Sequence, residues 1–490
     1  MSFHPRFEST AYRGRVPGLA GFGKMFDLEP HGEGTDAATL QVWLNDLGAA
    51  MRDDLDPDTN KPFPNGDHPS LPAGYTYLGQ FIDHDLTFEP TRLASQQIEI
   101  ATLTNFRTPA LDLDSLLGFG PTASPHLYAS QTPGALATGP VDRQARLPHD
   151  LARLSNRTPL IGDPRNDENL AVAQLCLAFI HFYNKVLNEL IAGNGQVPDL
   201  GPAGGSWAEK AARIVRWHYQ WIVLNDFLPR ILDTAVLAQV ITNGPTLYQP
   251  DPLFPFMPVE FAGAAYRLGH SLVRQRYHVN TSFRDQPLDD LFGFTGGGAN
   301  GPPPLGWALN WNRFFDIDPD TEPNKARKID PYTAPSLHAL NTGAGPIDLA
   351  ARNLVRGWTW KLPSGQRVAG KIGVASLSPD EILSGPDGQF CKESNQLRAG
   401  GFQHSTPLWY YVLKEAQVTQ QGERLGPVGS RIVAEVFVAL LRGDTDSYMS
   451  VQPGWKPTLP TAQPGTFTMA DMFRFLPDAV NPNGGDQGPV

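Results

Sequence analysis

The chain has two cysteines, Cys176 and Cys391, in 490 residues. So few cannot build a disulfide framework. Cys176 stands in the apolar run 175–180, where a thiol acts as a small core side chain. Long hydrophobic runs are missing too. No stretch of about 18 consecutive apolar residues occurs, so no membrane-spanning helix is expected. The first residues, MSFHPRFESTAYRGRVPGLAGFGKMF, lack the apolar segment of a secretory signal. The expected location is therefore the cytoplasm, with signal-independent secretion as the alternative. There is no dense Lys/Arg stripe, and the net charge is -11. Both argue against a nucleic-acid partner, because phosphate binding needs a basic face. Strand signals are few, and no fixed-period repeat appears.

Glycine and proline are plentiful, 48 and 46 residues, which predicts long loops between elements. Helical spacing of apolar residues appears near 37–51, from Asp163 onward, and over 208–224, 259–273 and 428–441. Asp163 reads as an N-cap with Pro164 in the first turn. Residues 118–140 and 293–306 read as loops. The fold class expected is mainly α: a single large helical domain with long loops. Residues 1–70 form a mostly irregular N-terminal extension, 71–475 the domain, and 476–490 a flexible tail. One domain of this size is unusual, and a core built around a large buried cofactor would account for it.

Three groups of residues carry candidate chemistry. In Gly79-Gln80-Phe81-Ile82-Asp83-His84-Asp85-Leu86, a helix places Gln80, Asp83 and His84 on one face. Asp85, about 100° further round, points elsewhere. The same residues would also serve as a capping and salt-bridge cluster. In Gly162-Asp163-Pro164-Arg165-Asn166-Asp167-Glu168-Asn169, helical spacing aligns Arg165, Glu168 and Asn169. A surface ion pair and a helix-dipole contact would explain them equally. In Tyr266-Arg267-Leu268-Gly269-His270, a histidine lies on an apolar stretch beside a glycine that lets bulk approach the backbone. Asn353, Arg352 and Arg356 offer an amide and two cations in one helical turn.

Together these segments resemble the animal haem peroxidases of the peroxidase–cyclooxygenase superfamily, bacterial-type members most closely. The resemblance runs from about residue 70 to 475. It rests on GQFIDHDLTF, RTPALDLDSLLG, GDPRNDEN, YRLGHSLV, LAARNLVRG and VGSRIVAEVFVALLRGD, in that order. It implies a buried haem b at the centre of the fold, with H2O2 and a small organic donor or halide as substrates. His84 would be the distal base, Arg165 would stabilise charge during O–O cleavage, and Gln80 would hold distal water or halide. His270 would ligate the haem iron and donate from its other ring nitrogen to Asn353. Arg267 and Arg356 would meet the haem propionates. Asp83 and Glu168 match carboxylates that form ester links to haem in mammalian members. Asn169 stands where some members have a methionine bonded to haem, so that link is not expected.

The resemblance also implies a Ca2+ site from Thr108, the Ala110 carbonyl, Asp112 and Asp114, completed by Asp85. An Asp-rich turn without an ion is the alternative. The superfamily includes fatty-acid dioxygenases, which carry a radical-bearing tyrosine three residues before the proximal histidine. Here that residue is Arg267, which favours peroxidase. Tyr266 is one position off and is expected to face away from the pocket. A non-catalytic adhesion or scaffold protein on the same fold is the reading from another class. The joint presence of His84, Arg165, His270 and Asn353 argues against it. The oligomeric state stays open.

Overall fold

The computed structural model describes residues 21–482 except 58, 60, 91–95, 142–146, 194–196, 199, 201–204, 251–254, 297–299 and 342–345. The first 20 residues, the last eight and part of the 293–306 loop thus lie outside the described residues. Helices dominate. Among the described residues the named strands form four two-stranded pairs, the longest strand being Asp67–Pro72 against Lys325–Arg327.

At the centre, the apolar stripe of the helix Leu170–Ala192 packs against the helices Gly74–Leu86 and Trp207–Ile222. Phe81 stacks on Phe179 with centroids 4.7 Å apart and planes 7° apart, and Tyr219 meets both rings edge-on. Leu170–Ala192 is long and apolar enough to cross a membrane, yet 89% of its most apolar window is buried inside the protein. A hydrophobic helix enclosed by other helices is what a large core requires. Cys176 and Cys391 are both buried free thiols.

The segment read as an N-terminal extension joins the same core over its described part. Asp36 caps the helix Ala37–Ala50, accepting from Thr39 N. That helix lies so close to Leu349–Thr359 that a Cβ on Gly48 would stand 2.4 Å from Ala351 Cα. Phe22–Gly23 pairs with Met257–Pro258. Buried Glu260 accepts from the backbone N–H groups of Met25 and Phe26 at 2.9 and 3.2 Å. No break in packing therefore marks residue 70. At the other end, Leu476 and Ala479 are also buried.

Two helices expected from periodicity are broken. Asp163 caps a 3-10 turn, Pro164–Asp167, rather than the long helix, which begins at Leu170 with Asn169 as its own cap. Residues 259–273 do not form one helix either. An α-turn over Val259–Ala262 ends at Gly263, Ala264 adopts φ −141° and ψ −78°, and a 3-10 segment runs over Ala265–His270. Spacing alone cannot distinguish these short helices. In a 3-10 segment residues three apart eclipse, so Arg267 lies directly along the segment from His270.

Burial also sets a pH dependence. His31 is 1% exposed with neither ring nitrogen hydrogen-bonded, and burial lowers its pKa from 6.5 to about 4. The unfolded chain therefore takes a proton at higher pH than the fold does. The stability involved is complete above pH 6.5 and is lost as pH falls toward 4. Thermal melts between pH 7 and 4.5 are expected to show a falling midpoint, and His31→Leu is expected to flatten that fall. The slope at stake is up to ~1.4 kcal/mol per pH unit, and identical slopes for the two proteins would refute the assignment.

Candidate active site

A cavity of ≈ 1300 Å³ opens between the helix Gly74–Leu86 on one side and the Ala265–His270 segment with the helix Leu349–Thr359 on the other. It exceeds the ~300–1,000 Å³ usual for small-ligand pockets. Its wall includes Gln80, Asp83, His84, Arg165, Glu168, Arg267, His270, Asn353 and Arg356, the residues singled out from the sequence apart from the Asp-rich loop.

On the first wall His84 is buried, and its Nδ1 stands 2.8 Å from Asn166 Oδ1. An amide oxygen can only accept, so Nδ1 carries the proton and Nε2 keeps its lone pair. Burial, with help from Arg165, lowers the His84 pKa from 6.5 to about 3, and the ring is neutral at ordinary pH. Asn166 was not picked out from the sequence, although it lies inside the GDPRNDEN segment.

Arg165 is held from several directions. Asp163, fully buried, accepts from its backbone N, Nε and Nη2 at 2.9, 3.1 and 2.8 Å. Nη2 also donates to the carbonyl oxygens of His84 and Thr87, and the guanidinium lies 4.5 Å over the Phe88 ring. Gln80 donates to Glu168 at 3.1 Å and accepts from Asn169 at 3.2 Å. Glu168 is reached by solvent within the cavity but enclosed by protein, and that enclosure raises its carboxyl pKa to about 7. Asp83 is raised as well, chiefly by burial.

On the second wall, Asn353 Nδ2 stands 2.7 Å from His270 Nδ1, and Asn353 Oδ1 accepts from Arg267 at 3.3 Å. This reverses the expected bond, in which His270 donates to Asn353. The cause is Arg267, whose guanidinium claims the amide oxygen. A ring that ligates iron through Nε2 must carry its proton on Nδ1, so ligation requires the Asn353 amide to turn over. Burial lowers His270 to about 3, so this ring is neutral too.

Arg267, Arg352 and Arg356 crowd together here. Arg267 falls to about 10, first through burial and then through Arg356. Arg352 is lowered by the same two causes. Arg356 pairs with Glu89 at 2.7 Å. Three cations on one wall suit a ligand bearing more than one negative charge. Beside them, a Cβ on Gly269 would meet nothing within 4 Å. The sequence shows Arg352 only as one of two cations in a helical turn and does not single out Glu89, since nothing in local spacing shows which charged groups converge. Tyr266, expected to face away, belongs to the cavity wall. Its ring stacks on Phe261 at 4.7 Å, and its hydroxyl donates to the Gly79 carbonyl at 3.4 Å.

Behind the first wall, carboxylate oxygens of Asp85, Asp112 and Asp114 lie within 4.8 Å of one another, all buried. Asp85 accepts from Leu113 N at 3.1 Å and Ser115 Oγ at 3.0 Å. Thr108 and Ala110 are buried on the same loop, where Thr108 N lies 3.5 Å from Asp114 Oδ2. Arg107 joins this cluster to the cavity. It contacts Asp114 at 3.1 Å, Asp163 at 2.9 Å and the Gly162 carbonyl at 2.7 Å.

Comparison with known proteins agrees with this architecture. Residues 91–293 match the family model described as animal haem peroxidase. Thyroid peroxidase of Canis lupus familiaris is 23% identical over 58% of this chain, which spans 29% of that protein. Chorion peroxidase of Aedes aegypti is 30% identical over 27% of this chain, spanning 16% of that protein. The chain thus spans less than a third of the length of these two relatives. Among solved structures, peroxidase A of Dictyostelium discoideum superposes with a TM-score of 0.64 at 16% identity, covering 96% of this chain and 95% of that one. Fatty acid alpha-dioxygenase of Arabidopsis thaliana superposes at 0.61 and 13% identity, covering 96% and 80%. These likenesses show that the chain shares the fold of these structures. Over residues 91–293, less than half of its length, the chain is similar to the animal haem peroxidase domain.

The Asp163 junction yields a test. Asp163→Asn keeps the shape but weakens the hold on Arg165. Stopped-flow mixing of the haem-loaded variant with H2O2 is expected to show a reaction slowed by about 10–100-fold. Haem content should stay near that of the unmodified protein. An unchanged rate would show that Asp163 does not position Arg165.

Proposed function

We propose that this chain is a haem peroxidase that reduces H2O2 by heterolytic O–O cleavage and oxidises a small organic donor or halide. The observation that carries the reading is one cavity walled by two neutral imidazoles, with an anchored arginine beside one of them. The wall residues fit haem b: once the Asn353 amide turns over, His270 would offer Nε2 to the iron, and Arg267, Arg352 and Arg356 would offer cations to the propionates. Haem bound there would supply the iron that engages peroxide and takes up its two oxidising equivalents.

His84 Nε2, unprotonated and buried, takes the proton from the inner peroxide oxygen and returns it to the outer one, so that water leaves. Asn166 keeps the ring in the tautomer this requires. Arg165 stabilises the negative charge that develops as the O–O bond breaks, and Asp163 holds it so that little reorganisation is needed. Gln80 retains one amide N–H for a water or a halide. Asp83 and Glu168 present carboxyl groups to the cavity, which is compatible with ester links to the haem. Asn353 fixes the orientation of His270 once its oxygen faces the ring.

The proposal extends to Ca2+ at Asp85, Asp112 and Asp114, with Thr108 and the Ala110 carbonyl as further oxygen donors. Burial, then Asp112 and Asp114, push the Asp85 pKa well above the usual carboxylate range. Such a group demands a proton or a cation. Asp85→Ala is expected to lower bound calcium, measured by elemental analysis, and haem retention together. Normal values of both would remove calcium from the reading.

A fatty-acid dioxygenase is the second reading, favoured by the position of Tyr266 on the cavity wall and by the dioxygenases among the fold neighbours. Arg267 three residues before His270 counts against it. The deciding measurement is the visible spectrum of the haem-reconstituted protein before and after one equivalent of H2O2. A Soret band that changes with peroxide and recovers with a phenol or bromide is expected. Arg165→Ala should keep the band and slow its change by at least about 10²-fold. No Soret band despite added haem would overturn the proposal. A band that ignores peroxide, with lipid hydroperoxide formed from fatty acid and O2, would install the dioxygenase.

A further inference from the structure

Outside the cavity several carboxylates are buried among the described residues, and one of them, Glu393, is shared by two phenols. Glu260 accepts from two backbone N–H groups, and Glu415 from those of Val428 and Gly429. Glu435 accepts from backbone N–H groups and from Arg431. These carboxylates tie segments together. Glu393, with no exposure, takes a phenol on each oxygen: Tyr410 donates to Oε1 at 2.7 Å and Tyr332 to Oε2 at 3.3 Å. Two phenols sharing one carboxylate are two oxidisable groups with a common proton acceptor.

The phenols lie in line with the cavity wall. Trp409, next in sequence to Tyr410 on the helix Leu408–Gln420, sets its ring 6.5 Å from the His270 ring. Its Nε1 donates to the Arg267 carbonyl at 3.3 Å. At the other end Tyr332 is only partly buried, and Lys392 Nζ lies 4.7 Å over its ring. Lys392, paired with Asp54, lines a surface depression of ≈ 440 Å³ together with Arg52, Asp53 and Leu55. Cys391 stands beside the carboxylate. Burial pushes its pKa up to about 12, so it is a thiol and not an electron-rich thiolate.

We propose that Trp409, Tyr410 and Tyr332, with Glu393 as their shared proton acceptor, carry oxidising equivalents from the cavity to the surface, where Tyr332 oxidises phenolic donors too bulky to enter. This rests on the peroxidase reading, which supplies the oxidant: the haem centre after reaction with H2O2. An electron leaves Tyr410 through Trp409 toward that centre, and the Tyr410 proton moves to Glu393 Oε1. Tyr332 then returns an electron to Tyr410. Its own proton passes to Oε2 while Oε1 gives a proton back to Tyr410. The net result is a Tyr332 phenoxyl radical and a neutral Glu393. A phenolic donor at the surface gives one electron to Tyr332, Glu393 returns the proton, and the donor's proton goes to solvent. The arrangement keeps each phenol neutral except while it is oxidised, because burial and Glu393 hold the pKa of Tyr410 well above its usual value.

The experiment uses the haem-loaded full chain and first reads its Soret response to H2O2. A nitroso spin trap is then added during turnover, and adducts are mapped by peptide mass spectrometry. Rates are compared for free phenol and for the same phenol coupled to dextran. An adduct on Tyr332 is expected, depleted in Trp409→Phe. Tyr332→Phe, which removes only a hydroxyl, is expected to lower the dextran-phenol rate by at least about tenfold and leave the free-phenol rate within about twofold. A normal Soret response with no adduct on Tyr332, or equal loss on both donors, would overturn the route and leave the peroxidase reading standing. A Soret band that ignores H2O2 would fail that reading and the route with it, and the first spectrum tells the two failures apart.

Discussion

Asp163 sits fully buried between two guanidinium groups, and the geometry of the first cavity wall depends on it. Its carboxylate caps the turn that carries Arg165, grips the Arg165 side chain, and meets Arg107 from behind at 2.9 Å. A carboxylate with no exposure is tolerable only when paired and hydrogen-bonded. Here the pairing outweighs burial, and the Asp163 pKa lies below its usual value. Arg107 extends the arrangement to Asp114 and so to the acidic cluster. Alternating charges run from that cluster to the cavity as Asp114, Arg107, Asp163 and Arg165. A change in the charge of the cluster would therefore be felt by Arg165 through three successive ion pairs, without any movement of the helix Gly74–Leu86.

The two cavity walls solve a common problem in opposite ways. Each presents an imidazole that must stay uncharged, and burial does this for both. On the first wall, Asn166 offers an oxygen, which leaves His84 Nε2 basic. On the second, the oxygen of Asn353 is occupied by Arg267, which leaves Nε2 of His270 with the proton. An anion that drew Arg267 away would free that oxygen for Nδ1, and Nε2 would then be left unprotonated. The cations of this wall thus act on the histidine as well as on any carboxylates that bind beside them. Recognition of an anionic group and the tautomer of His270 are coupled through a single amide.

Much of this was legible in the sequence where it depended on regular spacing. Gln80, Asp83 and His84 share a face because the segment is a true α-helix, and Asp85 turns away for the same reason. Legibility failed where the backbone departs from that period. The 3-10 turn Pro164–Asp167 brings Asn166, not a residue at helical spacing, to His84. The break at Gly263 and Ala264 is invisible to an apolar-periodicity argument. The described part of the first 70 residues reads as irregular, yet it is held by Glu260, whose partners are backbone N–H groups that any residue supplies. Glu89 could not be found, and Arg352 stood only as one of two cations in a helical turn, because their meeting depends on how distant segments fold together.

The 3-10 segment before His270 also bears on which chemistry the cavity favours. Three residues back along such a segment is the same side, and the residue there is Arg267. A cation at that place competes for Asn353 and repels Arg352 and Arg356, so it raises the demand for anions on the wall. Tyr266 reaches the wall one step round. It is stacked against Phe261, packed edge-on against Phe437, and bonded to the Gly79 carbonyl. Carbonyl oxygen is a poor base, so loss of the phenol proton on oxidation would be unassisted there. Glu393 offers a carboxylate to Tyr410 and Tyr332 instead. On proton acceptors alone, an electron hole that escapes the cavity is better accommodated behind His270 than on the cavity's own tyrosine, which weighs against lipid oxidation at Tyr266 and for delivery toward the surface.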